Sequence, residues 1–171
     1  SAPTADLPRW EDLLAARLLA RHGVLPLDDL LDRLRAYQDP ARAQGAPSFV
    51  AYLARTAGLP ARLTEQAAVA ARRAEVALRE RIALSVLRRS GRVASDALEQ
   101  AAREAAGRPL TDVLVERRHL RPEDAPALAA RVEQALGLAA RRAQEAARAA
   151  AGPAGAEAVR RETLRRLVEL L

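Results

Sequence analysis

The chain has 171 residues, 28 of them basic and 22 acidic, for a net charge of +6. Every basic residue is arginine and cysteine is absent, which excludes a disulfide framework, a thiol nucleophile and a cysteine-ligated metal. The two histidines, His22 and His119, are far apart in sequence and suggest no metal site, and no apolar run approaches the roughly 20 residues that span a bilayer.

Lysine, asparagine and methionine are also missing, and Ile82 is the single isoleucine. That bias points to a GC-rich bacterial genome, so the choice of arginine over lysine reports the genome and not a ligand. No secretory signal is visible, which makes the cytoplasm the expected compartment. The lack of an initiator methionine suggests a trimmed chain or an excised domain, so a longer native polypeptide is expected. At this length folding can bury roughly 70% of the unfolded chain's surface. The apolar residues are dominated by Ala, Leu and Val, with Trp10, Tyr37, Phe49 and Tyr52 as the aromatics.

Apolar residues recur at helical intervals throughout, and nothing alternates as a strand. Leu13, Leu14 and Leu18 predict a first helix that begins near Pro8 or Trp10 and ends at Gly23. Pro26 opens a second, with Leu27, Leu30, Leu31 and Leu34 on one face and Asp28 and Asp29 at its positive end. Asp39 to Pro47 reads as a loop, and Ser48 to Ala57 as a short helix stopped by Gly58-Leu59-Pro60. Thr64 is the expected cap of a long helix reaching Ser90, and Ser95 the cap of one running to Ala106. Pro109 opens a short helix and Pro122-Glu123-Asp124 a longer one. Gly152-Pro153 breaks the chain before a last helix that carries Leu164, Leu167, Val168 and Leu171.

Four segments share a helix–turn–helix pattern with turn positions at 23, 58, 91 and 118, about 35, 33 and 27 residues apart by subtraction. This predicts an all-α fold of seven to nine helices built from helical hairpins. Residues 1–136 are the expected hairpin-repeat domain and 137–171 a C-terminal helical extension.

The fourth unit, Leu110-Thr111-Asp112-Val113-Leu114-Val115-Glu116 through His119-Leu120 to Gln134, resembles the helical motif in N-terminal domains of type II secretion and type IV pilus assembly ATPases. Related modules accompany bacterial signalling kinases. Ser95-Asp96-Ala97-Leu98 and the stretch from Leu25 to Gln38 are similar to the motif's second half. The resemblance spans residues 13 to about 135 and implies a regulatory module that meets another protein. Some members bind cyclic di-GMP through an Arg-Leu-Gly triplet, which makes a cyclic di-GMP receptor one alternative. The corresponding positions are Leu14-Ala15-Ala16, Ile82-Ala83-Leu84 and Pro109-Leu110-Thr111, which lack the arginine for phosphate or guanine and the glycine for close backbone approach.

No glycine-rich phosphate loop, Gly-x-Ser-x-Gly or His-Glu-x-x-His motif occurs, so no catalytic residue and no cofactor or metal is assigned. Asp28 and Asp32 fall on one helical face, as a pair for acid–base work or a hard cation would, but an acidic first turn matching the helix dipole is the simpler reading. The basic excess is uneven: residues 1–47 carry a net −1, 48–107 a net +4, 108–135 are neutral and 136–171 carry +3. In the middle, Arg81, Arg88 and Arg92 share a face with Arg89 beside it. Such a stripe can meet a partner protein or phosphates, and nucleic-acid binding is the second alternative. Its simpler reading is a solvated helix face. The last helix, with Leu164, Leu167, Val168 and Leu171 opposite Arg160, Arg161, Arg165 and Arg166, can pack on the domain, form a homodimer or meet a partner. The sequence therefore predicts a non-enzymatic protein-interaction or regulatory module of a bacterial signalling, secretion or motility system.

Overall fold

Proline and glycine punctuation divides the chain into eight α-helices among the residues that the computed structural model describes, 6–171, with no strand among them. They are α1 Trp10–Arg21, α2 Leu27–Gln38, α3 Phe49–Thr56, α4 Ala61–Ser90, α5 Ser95–Ala105, α6 Leu110–Glu116, α7 Ala125–Ala151 and α8 Ala156–Leu170. Single 3-10 turns at Pro122–Asp124 and Gly152–Ala154 precede α7 and α8. No helix is long and apolar enough to cross a membrane among the described residues.

The chain forms two packing units, Ser1–Glu75 with Gly137–Leu171, and Val76–Leu136; the divisions fall inside α4 and α7. In the first unit α1 packs on α2, α3 and α8, while α2 also meets α3 and α8. Trp10, Leu13, Leu30, Leu31, Leu34, Phe49 and Leu53 fill its core. Tyr37, Phe49 and Tyr52 form an aromatic cluster with ring centroids 5.6 to 6.5 Å apart. Residues 137–171, expected as an extension, pack within this unit through α8.

The second unit has no aromatic residue. Its core is aliphatic: Leu78, Leu87, Val93, Leu98, Leu110, Val113, Leu114, Leu128 and Val132. Leu98, Ala101 and Ala105 recur at helical intervals along α5 and bury the face that packs on α6. Glu80 caps α6 from a distance, its Oε2 accepting the Leu110 N–H at 2.7 Å. Arg79 of α4 pairs with Glu133 of α7 at 3.0 Å.

Two expected caps are displaced. α4 starts at Ala61, and Thr64 lies buried within its first turns, where its hydroxyl donates to the Ala61 carbonyl at 2.8 Å. Pro60 explains the earlier start: its carbonyl accepts the Thr64 N–H at 3.1 Å, so the helical ladder already includes the residue after the proline. Ala94, not Ser95, is the N-cap of α5, and no side chain caps that end.

All four turn positions, Gly23, Gly58, Gly91 and Arg118, adopt left-handed backbone, with φ of 67°, 64°, 63° and 59°. The first and last match further. Gly23 N–H reaches Ala20 O at 3.1 Å and Val24 N–H reaches Leu19 O at 2.9 Å; Arg118 N–H reaches Val115 O at 3.0 Å and His119 N–H reaches Leu114 O at 2.8 Å. Both are Schellman-type helix ends.

Candidate functional site

Asp28 and Asp32 of α2 pair with α8. Asp28 Oδ1 lies 2.8 Å from Arg165 Nη2 and 3.5 Å from Arg161 Nη2, and Asp32 Oδ1 lies 3.2 Å from Arg161 Nε. Asp29 pairs along its own helix with Arg33 at 3.2 Å. One turn beyond, Arg35 makes a bidentate pair with Glu157 at 2.9 and 3.0 Å. That guanidinium holds the Glu157 carboxyl below its ordinary value through these hydrogen bonds. The carboxylates that share a face on α2 thus bind arginines and fix the approach of α8.

The apolar side of α8 goes the same way. Leu164, Leu167 and Val168 are buried, Leu164 to 1% exposure, while Leu171 is half-buried. A homodimer through the first three would require α8 to leave α1 and α2, because their surface is already used in the core. Arg17 of α1 closes the far end, its Nη1 donating to the carbonyls of Val168 and Glu169 at 3.0 Å each. Leu170, 65% exposed, is the large apolar side chain that α8 leaves to water.

Asp12 is a residue whose role the sequence reading missed. Only 2% exposed, it accepts Arg9 Nε at 3.2 Å through Oδ2 and the Phe49 N–H at 3.1 Å through Oδ1. The signal was present: Asp12, Ala16 and Leu19 stand at i, i+4 and i+7, so Asp12 lies on the buried face of α1. Asp12 and Arg9 border an open cleft of about 650 Å³ with Arg35, Tyr37, Asp39 and Arg160. Burial raises the Tyr37 phenol above its ordinary value. Arg9 and Arg35 are engaged by Asp12 and Glu157, and Asp39 by Arg42 and the Ala41 N–H.

The central arginines stand differently. Arg81, Arg88, Arg89 and Arg92 all belong to the second unit and all are exposed. In the same unit Arg79 is paired with Glu133, Arg103 with Glu99, Arg108 with Glu116 and Arg117 with Glu104. Among the described residues no carboxylate pairs with Arg81, Arg88, Arg89 or Arg92. Arg89 instead donates to Ser85 Oγ of its own helix at 3.1 Å. Among the described residues Arg118, Arg121 and Arg131 also lack ion pairs but lie at turns or on α7, whereas Arg81 and Arg88 share one face of α4.

His22 and His119 sit at exposed helix ends. No group of three or more His, Cys, Asp or Glu able to hold a metal ion occurs among the described residues. The fold is all-α, and among the described residues Arg81, Arg88 and Arg89 of α4, with Arg92 just past its end, are exposed without a carboxylate partner. Comparison with family models, curated proteins and solved structures finds no match.

Proposed function

We propose that the chain is a non-catalytic regulatory or protein-interaction module, working in the cytoplasm of a bacterium within a signalling, secretion or motility system. Its docking face is Arg81, Arg88, Arg89 and Arg92. The observation that carries this reading is that these guanidiniums are exposed and, among the described residues, without carboxylate partners, while Arg79, Arg103, Arg108 and Arg117 of the same unit have them. An unmatched guanidinium can take a partner's carboxylate without first breaking an internal pair. The resemblance of Leu110 to Gln134 to the N-terminal domains of secretion and pilus assembly ATPases supports the same class, as does the left-handed turn geometry common to the four hairpin positions.

Affinity capture from a host lysate tests it, comparing the native chain with the R81E/R88E/R89E/R92E variant. A protein retained by the first and lost by the second, with both equally folded by circular dichroism, is the expected result. Equal capture by both would remove the docking face. Nucleic-acid binding uses the same guanidiniums and is the rival reading; it predicts captured nucleic acid, with affinity falling steeply with salt.

A further inference from the structure

Along α4 within the second unit, Ala77, Arg81, Leu84 and Arg88 recur at intervals of four, three and four residues. On an α-helix these positions form one strip, with Arg81 and Arg88 about 10.5 Å apart along the axis and about 20° apart around it. Ala77, Arg81 and Arg88 are exposed and Leu84 is half-buried. The intervals are those of a coiled-coil seam, with arginines alternating with smaller apolar side chains. We propose that this strip docks an acidic amphipathic helix of a partner protein. Carboxylates seven residues apart on that helix reach Arg81 and Arg88, and an apolar side chain between them rests on Ala77 and Leu84. The proposal rests on the docking reading above and adds the partner's chemistry.

Charge favours a protein helix over nucleic acid. The unit carries eleven arginines against nine carboxylates, a net of only +2. Affinity for a phosphate backbone grows with the number of cationic contacts, and this strip itself supplies two, Arg81 and Arg88. Ala77 and Leu84 would also face phosphates with nothing to gain, whereas a seam uses them. Complementing the helix dipole accounts for Arg88 and Arg89 in the last turn of α4, but Arg81 lies too far from that end.

The test uses the full chain and a synthetic helical peptide carrying two glutamates seven residues apart with leucines between them, followed by fluorescence anisotropy at about 150 mM salt. Saturable binding is expected, weakened about tenfold or more in R81E/R88E. It should return when the peptide carries arginine in place of both glutamates. R141E/R148E, which reverses two exposed arginines of α7 in the first unit, should bind the acidic peptide as the native chain does. No binding by the native chain, or equal binding by R81E/R88E, overturns the proposal. So does tight binding of a short duplex DNA that R81E/R88E abolishes. If the peptide fails while lysate capture still depends on the four arginines, the partner chemistry is wrong and the docking reading stands; if neither depends on them, both fall.

Discussion

Asp12 Oδ1 accepts the backbone N–H of Phe49 at 3.1 Å, so the first turn of α1 caps the start of α3 across 37 residues of chain. The first N–H groups of a helix have no partner within it. Ser48 Oγ takes the Ala51 N–H at 3.1 Å, and Asp12 takes that of Phe49. Asp12→Ala would strand a buried donor and release Arg9, at a cost of about 2–3 kcal/mol. Asp12→Asn keeps an acceptor for Phe49 and should cost about half as much. Urea unfolding followed by the fluorescence of Trp10, the single tryptophan, measures both.

Leu164 lies in the core of the first unit, so Leu164→Ala should lower stability by about 3 kcal/mol through the cavity it opens. Leu171→Ala, at a half-buried position, should cost far less. If α8 serves the fold, sedimentation will give the same oligomeric state for the native chain and for Leu164→Ala under native conditions. A change in association with little loss of stability would assign α8 to an interface instead.

Arg118 holds φ at 59°, a region that costs a residue bearing a Cβ about 1 kcal/mol and costs glycine almost nothing. Arg118→Gly should therefore raise the stability of the second unit by up to about 1 kcal/mol, read from far-ultraviolet thermal melts. The converse holds at Gly23, where a Cβ would meet nothing within 4 Å. Gly23→Ala should cost about 1 kcal/mol from backbone strain alone.

Two glutamates give opposite responses to acid. Burial raises Glu80 above its ordinary 4.5, so the folded chain binds this proton more tightly than the unfolded chain. Its contribution to stability grows as pH falls from above the folded value through 4.5. Arg35 lowers Glu157 below 4.5, so its contribution is present above 4.5 and is lost as pH falls through the lower folded value. Glu157→Gln should cost on the order of 0.5 kcal/mol near neutrality and remove this acid-side loss. Glu80→Ala should cost about 1 kcal/mol by orphaning the Leu110 N–H, while Glu80→Gln keeps an acceptor and loses the upward acid response. Unfolding at about pH 7 and about pH 4 separates these cases, with amide exchange at Leu110 reporting the α6 cap.

Helix positions were legible because their causes are local. Gly23, Gly58 and Gly91 end helices, and Pro26, Pro109 and Pro122 precede them, by backbone geometry that needs no tertiary partner. Capping at Thr64 and Ser95 was misread because a capping side chain names a residue type, while the chain entering from Pro60 or Ala94 decides the first turn. The pairing of α8 with α1 and α2 was illegible for a different reason. Arg165 and Asp28 are 137 residues apart, and amphipathic spacing shows that a face is buried without showing against what. Arg81 and Arg88 were visible as a stripe, but Arg92 falls past Gly91 and off α4, and only the structure separates the arginines with carboxylate partners from those without.

The first unit is discontinuous, and this sets an order of events during synthesis. Residues 76–136 are complete, with the core of the second unit in hand, before any of α8 has been made. The faces of α1 and α2 that receive Leu164 and Leu167 stay wetted until that last helix leaves the ribosome. The α1 and α2 faces, made before the second unit, are thus among the last to settle. A nascent chain halted before residue 156 would present to chaperones the apolar surface that α8 later covers.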